Sequence, residues 1–145
     1  MGELVKPPSI VADIMSSPVT TIDGEVSVRD SSQTMIDRQI GSIVVTERDQ
    51  PRGIVTERDL VERVVAPCRD PNQTKIKEIM STPLITISKE TGILDAMRKM
   101  RKKDISRLVV MDDGTLIGLI SEKDIIRAVT ISSITSFSTL LRKRR

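Results

Sequence analysis

The chain has 145 residues, 38% hydrophobic and 30% charged, enough for one compact domain with a real core. It contains no His, Trp or Tyr, a single Cys and a single Phe, and its formal net charge is +3. These counts exclude a His-based catalytic centre, an internal disulfide, a Cys-rich zinc site and an aromatic platform for stacking bases.

The positive charge is local. Arg142, Lys143, Arg144 and Arg145 carry it, and the rest of the chain is close to neutral, so the basicity belongs to a tail rather than to a domain. No stretch is apolar over the ~18 residues that a membrane span requires. The opening residues Met1 to Pro8 lack the apolar run of a secretory signal. Gly2 stands where myristoylation would begin, but Lys6 replaces the expected Ser or Thr. A soluble cytoplasmic protein with no membrane partner is expected.

Residues 1–9 read as a polar, Pro-containing lead-in. Ile10 to Ser16 is expected to be a short helix stopped by Pro18. Val19 to Ile22 is β-branched and predicts a strand, and Asp23-Gly24 a turn. A helix follows over Ser27 to Arg38, with Val28, Met35 and Ile36 on one side. Ser42 to Thr46 is a strand, Glu47 to Arg52 a polar turn, Gly53 to Val55 a second strand, and Thr56 opens a helix to about Val65. Residues 67–74 form a linker that contains Pro67, Cys68 and Pro71.

The chain then repeats itself. Ile14-Met15-Ser16-Ser17-Pro18 returns as Ile79-Met80-Ser81-Thr82-Pro83. Gly53-Ile54-Val55-Thr56-Glu57-Arg58-Asp59 returns as Gly118-Leu119-Ile120-Ser121-Glu122-Lys123-Asp124. Both matches fall at one offset of 65 positions without a gap. In the second copy Ile93, Met97 and Met100 mark a helix, Asp112-Asp113-Gly114 a turn, Leu116 to Ile120 a strand, and Ser121 opens a helix to about Val129. The result is an α/β (α+β) fold of two β-α-β-β-α repeats, residues 10–66 and 75–130. Each repeat alone is marginal in size, which favours packing of the two about a pseudo-two-fold axis. In the basic tail, residues 131–145, Ile134, Phe137, Leu140 and Leu141 fall at helical spacing. That tail helix is expected to pack on the body, with an oligomer contact or an acidic surface as the other uses.

The closing motif carries the candidate chemistry. A buried strand ends, a hydroxyl follows (Thr56, Ser121), and a carboxylate stands three residues on (Asp59, Asp124). As local structure this is a helix N-cap with an acid at the positive end of the helix dipole. The same geometry suits a ligand. A helix start offers N–H groups and a hydroxyl to a phosphate, and a carboxylate one turn in can accept from both hydroxyls of a ribose. Arg58 and Lys123 beside the acids add a charge that a bare cap does not need. Gly53 and Gly118 permit close approach of another backbone or of a ligand.

The opening Ile-Met-Ser-x-Pro, the strand Ile/Leu-Val-Val and the closing Gly-h-h-Thr/Ser-x-x-Asp (h is hydrophobic) resemble the tandem CBS-domain proteins. The likeness is to a stand-alone CBS pair, or Bateman module, and covers about Ile10 to Thr130. The resemblance implies two clefts between the copies that bind adenosine-containing ligands: AMP, ADP, ATP or S-adenosylmethionine. It implies ribose binding by Asp59 and Asp124, hydroxyl contacts from Thr56 and Ser121, and phosphate contacts from Arg58 and Lys123. It also places Val19-Thr20-Thr21 and Leu84-Ile85-Thr86 beside the adenine. Some members carry a His-Arg pair before the Val-Val strand. Here Gly41-Ser42 and Ser106-Arg107 stand there, so only Arg107 keeps the charge and the two sites are expected to be unequal.

The expected function is therefore regulatory: a CBS pair that senses an adenosine ligand, forms a homodimer and modulates a separate effector protein. No catalytic role, metal or required cofactor is expected. The alternative is a basic-tailed protein- or nucleic-acid-interaction module with vestigial nucleotide binding. Arg98, Lys99, Arg101, Lys102 and Lys103 make one helix face basic, which fits a solvated face, an acidic partner protein or nucleic-acid phosphate.

Overall fold

The computed structural model describes residues 7–142, without the side chains of residues 135–137, 139 and 140. Each repeat has the expected β-α-β-β-α order. In the first copy these are β1 (Thr21–Asp23), α1 (Val28–Arg38), β2 (Ser42–Glu47), β3 (Gln50–Thr56) and α2 (Glu57–Leu60), which continues as a π-helical stretch, Val61–Val65. In the second they are β4 (Thr86–Ser88), α3 (Ile93–Lys103), β5 (Arg107–Asp112), β6 (Thr115–Ser121) and α4 (Glu122–Arg142). Each sheet has three strands. β1 runs parallel to β2 and β3 antiparallel to it, and β4, β5 and β6 repeat that order.

The residues divide into two compact units whose edges do not follow the repeats. One is Val19–Ile85; the other joins the segment up to Pro18 with the chain from Thr86 onward. Each unit therefore takes its leading segment from the other repeat's sequence. In the second unit, Val11 and Ala12 donate backbone bonds to Thr91 and Lys89, and Ser16 and Leu119 exchange both of theirs. In the first, Ile76 and Lys77 donate to Val26 and Gly24, and Ser81 and Ile54 exchange theirs. Ser16 and Ser81 thus extend the β6 and β3 edges.

This docking explains two glycines. A Cβ on Gly118 would lie 2.4 Å from Met15 Sδ, and one on Gly53 2.6 Å from Met80 Sδ and 2.8 Å from the Ser81 carbonyl. The close approach expected at these glycines is made by the leading segments.

The core of the Val19–Ile85 unit gathers Val28, Met35, Ile43, Val45, Val55, Val64, Ile76 and Ile79. In the other unit Val11, Ile93, Ala96, Met100, Leu108, Val110, Ile120 and Ile125 are buried. Apolar burial of this kind drives folding by roughly 25 cal/mol per Å2.

Several local expectations are corrected. Ile10 to Ser16 forms only a 3-10 turn, Val11–Asp13, because its first N–H groups bond to residues 89–91 instead of along a helix. The first strand is Thr21–Asp23 rather than Val19 to Ile22. Ile36 is 68% exposed, since it stands a full 100° around α1 from Met35; the inward position is taken by Ser31, which donates to the Ser27 carbonyl. The turn expected over Glu47 to Arg52 tightens to Arg48-Asp49, both at positive φ, and Gln50 to Arg52 join β3. The second copy turns at Asp113-Gly114 in the same way.

The final helix does not end near Val129. It runs unbroken to Arg142, and the predicted tail helix is its continuation. Ile134 and Leu141 are each more than half exposed, so these two tail positions do not pack on the body as expected; Ile126 and Val129 of the same helix are exposed to a similar degree. Phe137 and Leu140 side chains and residues 143–145 lie outside the described residues.

Candidate functional site

Both closing motifs form the predicted caps. Thr56 is the N-cap of α2, its Oγ1 accepting from the Asp59 amide at 3.3 Å. Asp59 Oδ2 accepts in return from the Thr56 amide at 2.9 Å and from its hydroxyl at 3.2 Å. In the second copy Ser121 Oγ accepts from the Asp124 amide at 3.1 Å, and Asp124 Oδ2 accepts from the Ser121 amide at 2.9 Å. These reciprocal bonds satisfy helix-start N–H groups and hold each carboxylate in place.

Strand register gathers the other candidates at one end of each sheet. Ser42 is the cross-strand partner of Thr56, and Arg107 of Ser121. Arg107 is half-buried and donates weakly to Ser106 Oγ at 3.4 Å. The amide of Val44 donates to the Thr20 carbonyl, so Val19-Thr20-Thr21 enters the sheet at the end where β3 delivers Thr56. Val19 and Thr20 are half-buried and Thr21 is exposed. The triplet Leu84-Ile85-Thr86 straddles the division: Leu84 and Ile85 close the first unit and Thr86 opens β4 in the second. The Thr86 carbonyl accepts from Lys99 Nζ at 2.7 Å.

Arg58 and Lys123 point to solvent. The Arg58 side chain is 82% exposed and pairs with Glu62 at 2.6 Å, one helical turn along; Lys123 is exposed as well. Arg107, by contrast, sits directly across the β5–β6 pair from Ser121. A cavity of about 730 Å3 lies elsewhere in the second unit, lined by Pro8, Gly92, Leu94, Asp95, Val129 and Ser133 among others, and holds none of the predicted residues. Among the described residues no group of acidic or Cys side chains could hold a metal ion.

Two features are not evident from the sequence. Arg63 Nε stands 3.7 Å from Asp59 Oδ1, and its Nη1 donates to the Ile79 carbonyl at 2.8 Å. The i, i+4 spacing from Asp59 is the signal that could have found it. Glu25, in the turn between β1 and α1, bonds both Lys75 and Lys77 of the leading segment. These two ammonium groups pull its carboxyl down to about 2.

The sequence matches the CBS domain model twice, over residues 11–66 and 76–131. An uncharacterised protein of Methanopyrus kandleri is 42% identical over 95 residues, 64% of this chain and 48% of that protein; the chain thus spans about half of that relative. Among solved structures, a hexameric CBS-CP12 protein from bloom-forming cyanobacteria is 34% identical, with a TM-score of 0.77 over 81% of this chain and 66% of that one. The CBS domain pair of a protein solved with 5-methylthioadenosine and S-adenosyl-L-methionine is 26% identical, with a TM-score of 0.75 over 85% of this chain and 97% of that one. No described helix is long and apolar enough to cross a membrane. With both repeats matched in sequence and in fold, the chain belongs to the CBS-domain family and carries two CBS domains.

Proposed function

We propose that this CBS pair is a regulatory module that binds an adenosine-containing small molecule, of the AMP, ADP, ATP or S-adenosylmethionine class, and signals to a separate effector protein in the cytoplasm. The observation that carries this reading is the carboxylate held by its own N-cap, built twice at the end of a half-buried strand. A carboxylate already fixed in position accepts from a ribose diol with little further ordering. The half-buried Val19 and Thr20, and Leu84 and Ile85, supply apolar surface and backbone groups for adenine. Arg107 supplies the phosphate contact beside Ser121. The complex of the related pair with two adenosine compounds supports this ligand class.

Binding, not turnover, is the proposed role, with the ligand as effector and no resident cofactor. Ligand that favours one conformation shifts the population and passes the signal on. A homodimer forms part of the reading. Ile36, Val61 and Val65 expose apolar surface on one unit, and Leu94, Ile126 and Val129 do so on the other.

Purified protein tests the ligand directly. Without Trp or Tyr it absorbs little at 280 nm, so a retained adenine compound would dominate near 260 nm and be released by heat for mass spectrometry. A spectrum without that absorbance, together with no thermal shift from any adenosine compound, contradicts the proposal.

One observation favours the interaction-module reading. Beyond Asp124 the chain has no acidic residue, while α4 carries the exposed Ile134 and Leu141 towards the basic end. Salt-dependent retention of RNA or an acidic protein, lost on deleting residues 142–145, would support that second role.

A further inference from the structure

The two carboxylates have different surroundings. Asp59 is buried, with its Oδ2 taken by Thr56 and its Oδ1 facing the Arg63 guanidinium. Asp124 is half-buried, and its Oδ2 is taken by Ser121. Its Oδ1 has no partner among the described residues. The residue 65 positions after Arg63 is Ala128, so the second unit has no cation at that place.

The helices differ as well. In the first unit the stretch Val61–Val65 is π-helical, with Ala66 N–H reaching the Val61 carbonyl. Arg63 lies within that stretch and is anchored at its other end on the Ile79 carbonyl. Ala128 lies in the continuous α-helix α4, one turn from Asp124. π-Helical insertions are rare and are enriched at functional positions.

We infer that Arg63 makes the two ribose acceptors unequal: it occupies Asp59, while Asp124 is left free and fills first. The inference rests on the adenosine reading above. A ribose that enters beside Asp59 must displace a cation, whereas one that enters beside Asp124 displaces only water. Arg63 acts through Asp59 and is a positioning residue for specificity. The Arg63 side chain is 44% exposed and Asp59 12%, so the pair is partly screened, and its removal is worth about fivefold in affinity. This inequality is separate from the one at Arg107, which concerns phosphate; it persists for a ligand without phosphate.

Calorimetric titration of the full chain with adenosine tests it. The expected wild-type result is one tighter and one weaker site. Asp124→Asn removes the tighter site and Asp59→Asn spares it. Arg63→Ala strengthens the weaker site about fivefold, while Arg63→Lys, which keeps the charge, does not. Ala128→Arg places a cation one turn from Asp124 and weakens the tighter site by a similar factor. That variant carries the test alone if Arg63→Ala fails to fold after losing its bond to Ile79. Loss of the tighter site in Asp59→Asn overturns the inference, as does an Ala128→Arg protein with unchanged affinities. Two equal sites overturn it and leave the adenosine reading intact; no adenosine binding by any variant overturns both.

Discussion

Met15 seals the face of Gly118: a Cβ at that glycine would fall 2.4 Å from the Met15 sulfur. The 65-residue repeat places Met80 against Gly53 in the same way, where the Ser81 carbonyl also lies 2.8 Å from the site of a Cβ. Gly118→Ala and Gly53→Ala should each destabilise by about 1–3 kcal/mol through overpacking. Gly53→Ala should cost more, because a carbonyl held in a backbone pair with Ile54 yields less than a flexible thioether. Urea denaturation would show a lower midpoint with unchanged slope.

The caps give a second expectation. Thr56→Ala and Ser121→Ala each remove an acceptor for a helix-start amide and should cost about 1 kcal/mol. Denaturant midpoints would check this. Thr56→Ala also removes the hydroxyl bond to Asp59 Oδ2, so stability and adenosine affinity at that site should fall together, whereas Ser121→Ala keeps the backbone bond to Asp124 Oδ2.

Acid should weaken the seam between Glu25 and the leading segment. Lys75 and Lys77 hold the Glu25 carboxyl at about 2, below its usual 4.5. A depressed folded-state value stabilises the fold above about pH 4.5, and this contribution is lost as pH falls towards 2. Glu25→Gln should therefore lose less stability than wild type across that window, as read by unfolding midpoints at each pH. Equal pH dependence would show that the exposed pair contributes nothing.

Arg107 should distinguish phosphorylated from unphosphorylated ligand. It is the cross-strand partner of Ser121, while the matching position in the first unit is Ser42. Arg107→Ala should reduce AMP affinity by roughly tenfold, the scale of a charged hydrogen bond, and leave adenosine almost unchanged. Equal AMP affinity at both sites, unaltered by the substitution, would contradict this.

The element order and both caps were legible because they are local. A strand-ending hydroxyl followed three residues later by Asp fixes its own geometry, and duplication reinforced the pattern. The exchange of leading segments was not legible. Val11 and Thr91 are 80 positions apart, and an N–H that donates over such a distance leaves no periodicity to read. Ile36 misled for a different reason: it follows Met35 in sequence but points away from the core, where the satisfied hydroxyl of Ser31 replaces an apolar side chain. Arg63 is less conspicuous than Arg58, which adjoins Asp59 in sequence. One turn of helix separates Arg63 from the acid and brings it back to the same face.

The central claim is that the capped aspartates receive an adenosine ligand. Calorimetric titration with AMP of the wild type and of the Asp59→Asn/Asp124→Asn double variant tests it most directly, with circular dichroism to confirm equal folding. The expected result is saturable binding by the wild type and loss of more than tenfold in the double variant. Undiminished binding by the double variant, or none by the wild type at millimolar ligand, would contradict it.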